Sequence, residues 1–504
     1  MPGVYGGDDV SAVVFDAGSS LLRGGWAGED SPRVVIPSSY GWVPSDENDA
    51  SSSSAAPAPA PSAAAEGDGD ATMAEGNGDA PKEEQAVKTE AADSRIRGAK
   101  YLAKKATPDA KGKKRFFGDF GVGSYRKGTE ISPTVVDGIV QSAPDLYHLL
   151  DHAYSTLGAD STEHPLMLTD TTSSPREMRE DLTELAFEGL GVPAYYLANS
   201  TVLSSFSAGK PTSLILDVGY SSASAIPVVD GFVIRKGIFR QNDLGGAAVS
   251  RAFAHELRNP PARSPRAGGA IEELIPRYRV KSRKPVEAGK EAQWEQREAA
   301  LGASQSYKAF QEGQLLHEVK ESIGQVLDSP WDEGLALSRP ARSFEFPNGY
   351  NDVFGIERYR ASEVLFNPQL WNGVQGVLPT TASSAPGTQP AASTASSAIP
   401  LAQMVVDSIS SVDVDSRATL LSNIVCVGGT TFLPGFVDRL SYELSIRQPA
   451  QRVKIHAPGN SVERRHAAWL GGSILASLGS FHQIWISKQE YEEHGSQIVH
   501  ARAR

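Results

Sequence analysis

The sequence predicts an α/β fold built from two related halves, and three observations carry that prediction. Apolar strand-like runs alternate with amphipathic helical ones, the pattern of sheets flanked by helices. Two of the strands end alike: Ser11-Ala-Val-Val-Phe-Asp16 runs into Ala-Gly-Ser-Ser-Leu-Leu-Arg23, and Leu214-Ile-Leu-Asp217 runs into Val-Gly-Tyr-Ser-Ser-Ala-Ser224. Stretches of biased composition interrupt this pattern without replacing it.

In chain order, the apolar run ending at Asp16 reads as a buried strand. Residues 45–94 then collapse into Ala, Ser, Pro, Gly, Asp and Glu, a composition that cannot offset its ordering entropy. The segment Glu177 to Gly189 reads as an amphipathic helix ending in glycine, and Leu214 to Asp217 as the second buried strand. Residues 258–309 mix Pro, Arg, Glu and Gly, as expected of a long insertion with helix over Lys290 to Ala300. Residues 379–398 are rich in Ser, Thr, Ala and Pro and read as a further insertion. Asn423-Ile-Val-Cys-Val427 is an apolar strand in which Cys426 reads as a small buried hydrophobe.

Composition narrows the function classes. At 504 residues, 40% hydrophobic and 21% charged, the chain can bury a sizeable core and still carry solvated insertions. A net charge of −12 disfavours broad binding to a nucleic-acid backbone, which needs clustered Lys and Arg, and suits a basic partner such as a histone tail. One cysteine excludes an intrachain disulfide framework and fits a reducing compartment. Met1 to Asp9 lacks the features of a signal peptide, and no apolar run is long enough to span a bilayer, so an intracellular, soluble chain without membrane contact is expected. The ten histidines show no Cys/His spacing suited to structural zinc.

The chemistry lies in the two repeated turns. In a strand-Asp-x-Gly hairpin, glycine lets backbone N–H groups approach phosphate oxygens, and the carboxylate can hold the water shell of Mg²⁺. Either turn alone is more often a plain hairpin. Paired, and joined by Val427-Gly-Gly-Thr-Thr-Phe-Leu-Pro-Gly435, they point to a clamped nucleotide.

Those three loops in that order resemble the superfamily of actin, heat-shock-70 chaperones and sugar kinases. The end of the chain is similar to actin: Trp469-Leu-Gly-Gly-Ser-Ile-Leu-Ala-Ser-Leu, Trp485-Ile-Ser-Lys-Gln-Glu-Tyr491 and Ile498-Val-His500, with Glu163-His-Pro-Leu-Met-Leu-Thr169 earlier. Val4-Tyr-Gly-Gly-Asp8 and Trp26-Ala-Gly-Glu-Asp30 resemble the actin-related protein 4 branch. The similarity covers most of the chain outside the insertions.

The resemblance implies an actin-like, ribonuclease H-like duplicated fold with two lobes of two subdomains around a nucleotide cleft. The large outer subdomain would comprise 1–37, 134–206 and 468–504, and the small one 38–133. The large inner subdomain would comprise 207–245 and 400–467, and the small one 246–399. By the same resemblance, Asp16, Gly18, Ser19, Ser20, Arg23, Asp217 and Gly219 meet the phosphates of ATP, with Asp16 and Asp217 reaching Mg²⁺ through water. Gly246, Lys320, Glu321, Gly428, Gly429 and Thr430 meet the sugar and base. Arg23 stands where actin has lysine, exchanging a point donor for a planar fork.

Hydrolysis is not expected. Ser200 occupies the place of the family's water-orienting glutamine, and Tyr220 and Ser224 replace an acidic residue and a histidine on the second loop. A short hydroxyl cannot span the same gap to a lytic water. The family reading is a nuclear, monomeric subunit of chromatin-remodelling and histone-acetyltransferase complexes. Its partners would be an actin monomer, a helical segment of a remodelling ATPase or acetyltransferase scaffold, and histones, without sequence-specific nucleic-acid contact. The helix would seat near Phe481 to Ile486. Filaments are not expected, because insertions fall where actin makes its filament contacts. Lys111-Gly-Lys-Lys-Arg115 is a candidate import signal. The rival reading is a sugar kinase or ATPase chaperone of the superfamily, but no motif nominates a kinase base and the chain ends just beyond the actin-like tail, leaving no expected peptide-binding domain.

Overall fold

The computed structural model describes residues 11–44, 96–105, 113–378 and 398–503. The Val4 to Asp8 motif, residues 45–94 and residues 379–397 of the second biased stretch lie outside the described residues. Along the chain come β1 (Val13–Ala17), β2 (Leu21–Trp26), β3 (Val34–Pro37), β4 (Ser39–Pro44), β5 (Lys113–Phe116), α1 (Gly118–Gly123) and β6 (Glu130–Pro133). There follow α2 (Ala143–Leu157), β7 (Leu166–Asp170), β8 (Ala194–Asn199), α3 (Ser200–Ser207), β9 (Ser213–Val218), β10 (Ser222–Val229), β11 (Phe232–Val233) and β12 (Phe239–Asn242). The later elements are α4 (Gly246–Arg258), β13 (Val280–Lys284), β14 (Gln293–Gln296), α5 (Gln305–Ile323), β15 (Ile424–Val427), β16 (Ile455–His456), α6 (Ala467–Ala476) and β17 (Ile486–Ser487).

Two sheets repeat one plan. The first has the order β17-β8-β7-β1-β2-β3, and the second β11-β10-β9-β15-β16 with β12 on β10. In each, an antiparallel hairpin (β1–β2 or β9–β10) sits beside a parallel neighbour (β7 or β15). The leading strands are apolar on both faces because layers cover both sides of a parallel sheet: Val13, Val14 and Phe15 are buried, as are Leu214, Ile215 and Leu216. Separate cores form, one around Leu166, Tyr195 and Leu146, the other around Leu216, Phe253 and Val405. A β4–β5–β6 sheet stands off the first lobe.

The lobes join through α3 and α6. A Cβ on Gly471 would lie 1.9 Å from the Leu203 carbonyl oxygen, so only glycine permits this crossing. The Trp469 indole donates to the Val14 carbonyl at 3.0 Å, fixing α6 beneath β1.

Several local expectations change. No helix forms over Lys290 to Ala300; β13 and β14 make a hairpin there, with Arg283 opposite Trp294, and Glu298–Gly302 is a short 3-10 turn. Cross-strand pairing overrides the helical propensity of that Lys, Glu and Ala-rich stretch. The helix expected to end at Gly189 runs from Arg176 to Glu184, continues as a π turn through Leu190, and stops at Gly191. Half of the basic run is tied down: Arg115 pairs with Asp145 at 3.1 Å and Lys113 lies 4.2 Å from the Trp42 ring centre, while Lys111 is outside the described residues. Cys426 is buried on β15, as expected.

The segment named for helix docking is only partly exposed. Phe481, Trp485 and Ile486 are buried, Phe481 packing edge-on against Tyr196 and Trp485. The apolar side chains this part of the chain exposes are Ile474, Leu478 and Ile484. The core of the outer lobe claims the aromatic residues, so the helical surface beside them carries the free apolar area.

Candidate functional site

The two hairpins are built to one rule. In β1–β2, Gly18 N–H donates to the Leu21 carbonyl at 3.1 Å; in β9–β10, Gly219 N–H donates to the Ser222 carbonyl at 3.0 Å. Each turn therefore begins two residues beyond an Asp that ends the apolar part of its strand. The register then places Arg23 opposite Asp16 and Ser224 opposite Asp217. The tips meet: Ser221 Oγ donates to Ser19 Oγ at 3.1 Å, and Ser19 Oγ accepts the Gly138 N–H at 2.7 Å.

Asp16 is held from both sides. Arg23 donates to Oδ2 and Thr169 to Oδ1, each at 2.7 Å. Asp217 has no cation on its facing strand. It opens onto the cleft at depth, and burial raises its proton affinity; neighbouring Asp16 adds to the rise, while Arg240 and Arg23 oppose it. A hydrated cation between the tips would relieve this repulsion, so the pair fits water-mediated Mg²⁺. Among the described residues, no cluster of three or more His, Cys, Asp or Glu could hold a metal directly.

The third loop closes the site. Gly428 has φ +94°, and a Cβ there would lie 2.6 Å from Asp217 Oδ1 and 2.4 Å from the Val218 carbonyl oxygen. Thr430 Oγ1 donates to the Gly219 carbonyl at 2.8 Å, and Gly246 N–H donates to the same oxygen at 3.0 Å. Lys320 Nζ donates to the Gly246 carbonyl at 3.1 Å, and burial pulls its pKa down to about 8.

Asp16, Gly18, Ser19, Ser20, Arg23, Asp217, Gly428 and Gly429 thus line one cleft. Gly219, Gly246, Lys320 and Thr430 cluster beside it. Glu321 is half exposed at the rim and faces Arg465 at 3.5 Å. Sequence reasoning missed four charged lining residues: Asp170, Arg240, Arg464 and Arg465. Arg240 is the most telling, since it bridges the lobes by donating to the Asp137 carbonyl on one side and to Ser222 on the other. A single Arg in Phe-Arg-Gln-Asn has no local signature; its role depends on a contact more than a hundred residues away.

The comparisons follow this geometry. A family model described as actin matches residues 7–504. Proteins named actin-related protein 4 align over nearly the whole chain. That of Mycosarcoma maydis is 46% identical and covers 100% of both chains. That of Arabidopsis thaliana is 36% identical, covering 98% of this chain and 99% of its own, and that of Emericella nidulans is 35% identical, covering 99% and 98%. The chain belongs to the actin family, in its actin-related protein 4 branch.

The duplicated sheets are therefore the two halves of an actin fold. Ser200 opens α3 and lines the cleft, its helix capped by Asn199 Oδ1, which accepts from Thr201 N–H at 3.0 Å. Ser224 is buried in the hairpin opposite Asp217. Tyr220 lines both this cleft and a neighbouring hollow of about 490 Å³ between α4 and α5. Asp170, with its pKa raised by burial to about 6, lies 3.3 Å from Arg179. Among the described residues, no helix is long and apolar enough to cross a membrane.

Proposed function

We propose that this actin-family chain grips ATP as a structural ligand, hydrolyses it slowly or not at all, and acts in the nucleus as a monomeric scaffold subunit of chromatin-remodelling and histone-acetyltransferase complexes. The observation that carries the reading is the contrast within the cleft. Hairpins and a glycine turn suited to a polyphosphate line the cleft, whereas the start of α3, where the family reading would place a water-orienting glutamine, carries the short hydroxyls of Ser200 and Thr201. Asp16, Ser19, Ser20, Arg23, Asp217 and Gly219 would hold the phosphates and, through water, Mg²⁺. Gly246, Lys320, Glu321, Gly428, Gly429 and Thr430 would face the ribose and base.

A nucleotide that binds only the closed, folded form supplies stability by mass action, about 2.7 kcal/mol at a hundredfold excess over its Kd. Arg23 and Thr169 hold the Asp16 carboxylate in place at the first turn. Asp170 is the remaining carboxylate of the lining, and Arg179 engages it from behind.

The exposed Ile474, Leu478 and Ile484 offer an apolar face to an amphipathic helix of a remodelling ATPase or acetyltransferase scaffold, beside an actin monomer. The acidic balance of the chain favours histones as further contacts. The actin match across 7–504 weighs against the sugar-kinase and chaperone alternatives. The test is to identify the nucleotide retained by the purified full chain and follow it over hours. Intact ATP is the expected result; ADP accumulating with free phosphate at actin's pace would overturn the non-hydrolysing role.

A further inference from the structure

The two small modules on either side of the cleft mouth are fastened to each other, by residues that belong to neither nucleotide loop. From the inner side, Ser304 Oγ donates to the Thr129 carbonyl at 2.6 Å while capping α5. One turn on, Tyr307 OH donates to the Gly123 carbonyl and Gln311 Nε2 to the Val122 carbonyl, both at 3.0 Å. Ser306 Oγ accepts the Ile131 N–H at 2.9 Å and donates to Glu130. Rings close over these bonds. Tyr125, from the outer module, stacks on Tyr278 at 5.8 Å and meets Tyr307 edge-on at 5.5 Å, and Tyr278 meets Tyr307 edge-on at 5.1 Å. Tyr278 and Tyr307 are buried, with Ala300 and Ala303 of the same insertion beneath them.

We propose that this cluster is a latch across the cleft mouth, contributed by the insertion around Tyr278, and that its opening limits the rate at which bound nucleotide leaves. The latch and the site share one rigid element. α5 carries Tyr307 and Gln311 at its start, Glu312, Gly313 and Leu316 along the hollow, and Lys320 against Gly246 near its end. To widen the mouth, the outer module must part from α5, which breaks the ring contacts and the bonds from Ser304, Ser306, Tyr307 and Gln311 together. Because these contacts are aromatic and hydrogen-bonded, with a single charged participant in Glu130, the latch should be nearly insensitive to salt.

The inference rests on nucleotide binding, and its test separates the two. The full chain is loaded with a fluorescent ATP analogue and chased with unlabelled ATP. Tyr278→Ala and Gln311→Ala should each release it faster, the former by about tenfold or more if one ring's contacts are worth a decade in the opening equilibrium. Tyr278→Phe keeps the ring and should release at the parental rate. Parental rates in both alanine variants would overturn the latch, as would a Tyr278→Phe protein as fast as Tyr278→Ala. If the parent retains no analogue, the nucleotide reading fails instead. The latch is then judged by hydrogen exchange at the Ile131 amide, expected to lose protection in Tyr278→Ala and overturning the proposal if unchanged.

Discussion

Arg23 lies directly across the first hairpin from Asp16 and donates to its carboxylate at 2.7 Å, whereas the same position in the second hairpin holds Ser224 opposite Asp217. The duplicated halves thus treat their carboxylates differently. One is neutralised within its own hairpin, and the other is left to the cleft, to Arg240 and to whatever cation the cleft admits.

Arg23→Ala removes the partner of a largely buried carboxylate, with side chains 15% and 12% exposed. The expected loss is about 3 kcal/mol of stability, by analogy with other broken buried pairs. Thermal unfolding of the nucleotide-free protein measures it. ATP affinity should fall as well, and Arg23→Lys should recover more of the affinity than of the stability, since lysine restores the charge but not the fork.

Ser200→Gln extends a polar side chain from the start of α3 into the cleft. Phosphate release, near background in the parent, should rise by about tenfold or more when a water can be oriented. A phosphate-sensor assay under single-turnover conditions would record it, and no change would show that Ser224 and Tyr220 also need reversal.

Lys320 supplies a pH signature. Its folded-state pKa of about 8 lies below its ordinary 10.5, so between those values the unfolded chain binds more protons than the folded one. Stability should therefore climb as pH rises from about 8 toward 10.5, and Lys320→Met should flatten that climb. Saturating ATP should flatten it too, because a polyanion bound in the same cleft favours protonated lysine. Melting curves across that window, with and without nucleotide, decide the point.

Gly428→Ala forces a side chain into a left-handed position where it meets the Val218 carbonyl and Asp217 Oδ1. Strain and overpacking together should cost about 2–4 kcal/mol. The third loop should move away from the nucleotide, so that nucleotide extracted from the purified variant drops below that of the parent. Unaltered nucleotide content would contradict the close approach.

Leu478→Asp with Ile484→Asp should weaken binding of an amphipathic helix while leaving bound nucleotide in place. Phe481→Ala should instead lower the melting temperature, since it empties a core position at about 3–5 kcal/mol. Titration of a remodeller-derived helical peptide, alongside nucleotide content, separates the surface from the core.

Much of the cleft was legible along the chain because its chemistry is local. An Asp, a glycine two residues on, and a strand that turns back are consecutive, and the turn geometry follows from them; Asp16 and Asp217 could be named for that reason, whereas Arg23 was named through the resemblance to actin. Val427-Gly-Gly-Thr-Thr was readable on the same grounds. The stretch Lys290 to Ala300 was misread as helix because local propensity favours helix there, while the pairing of Arg283 with Trp294 that makes it a strand is not visible in a window of that length.

The sequence by itself determined that two related α/β halves exist and where their Asp-x-Gly turns lie, since each is a property of neighbouring residues. Only the tertiary structure decided that Arg240 spans the lobes, that Phe481 and Trp485 are buried in the core, and that Tyr125, Tyr278 and Tyr307 meet over the cleft mouth. Those outcomes depend on which distant surfaces exclude water from one another, and burial of that kind is set by the packing of the whole chain.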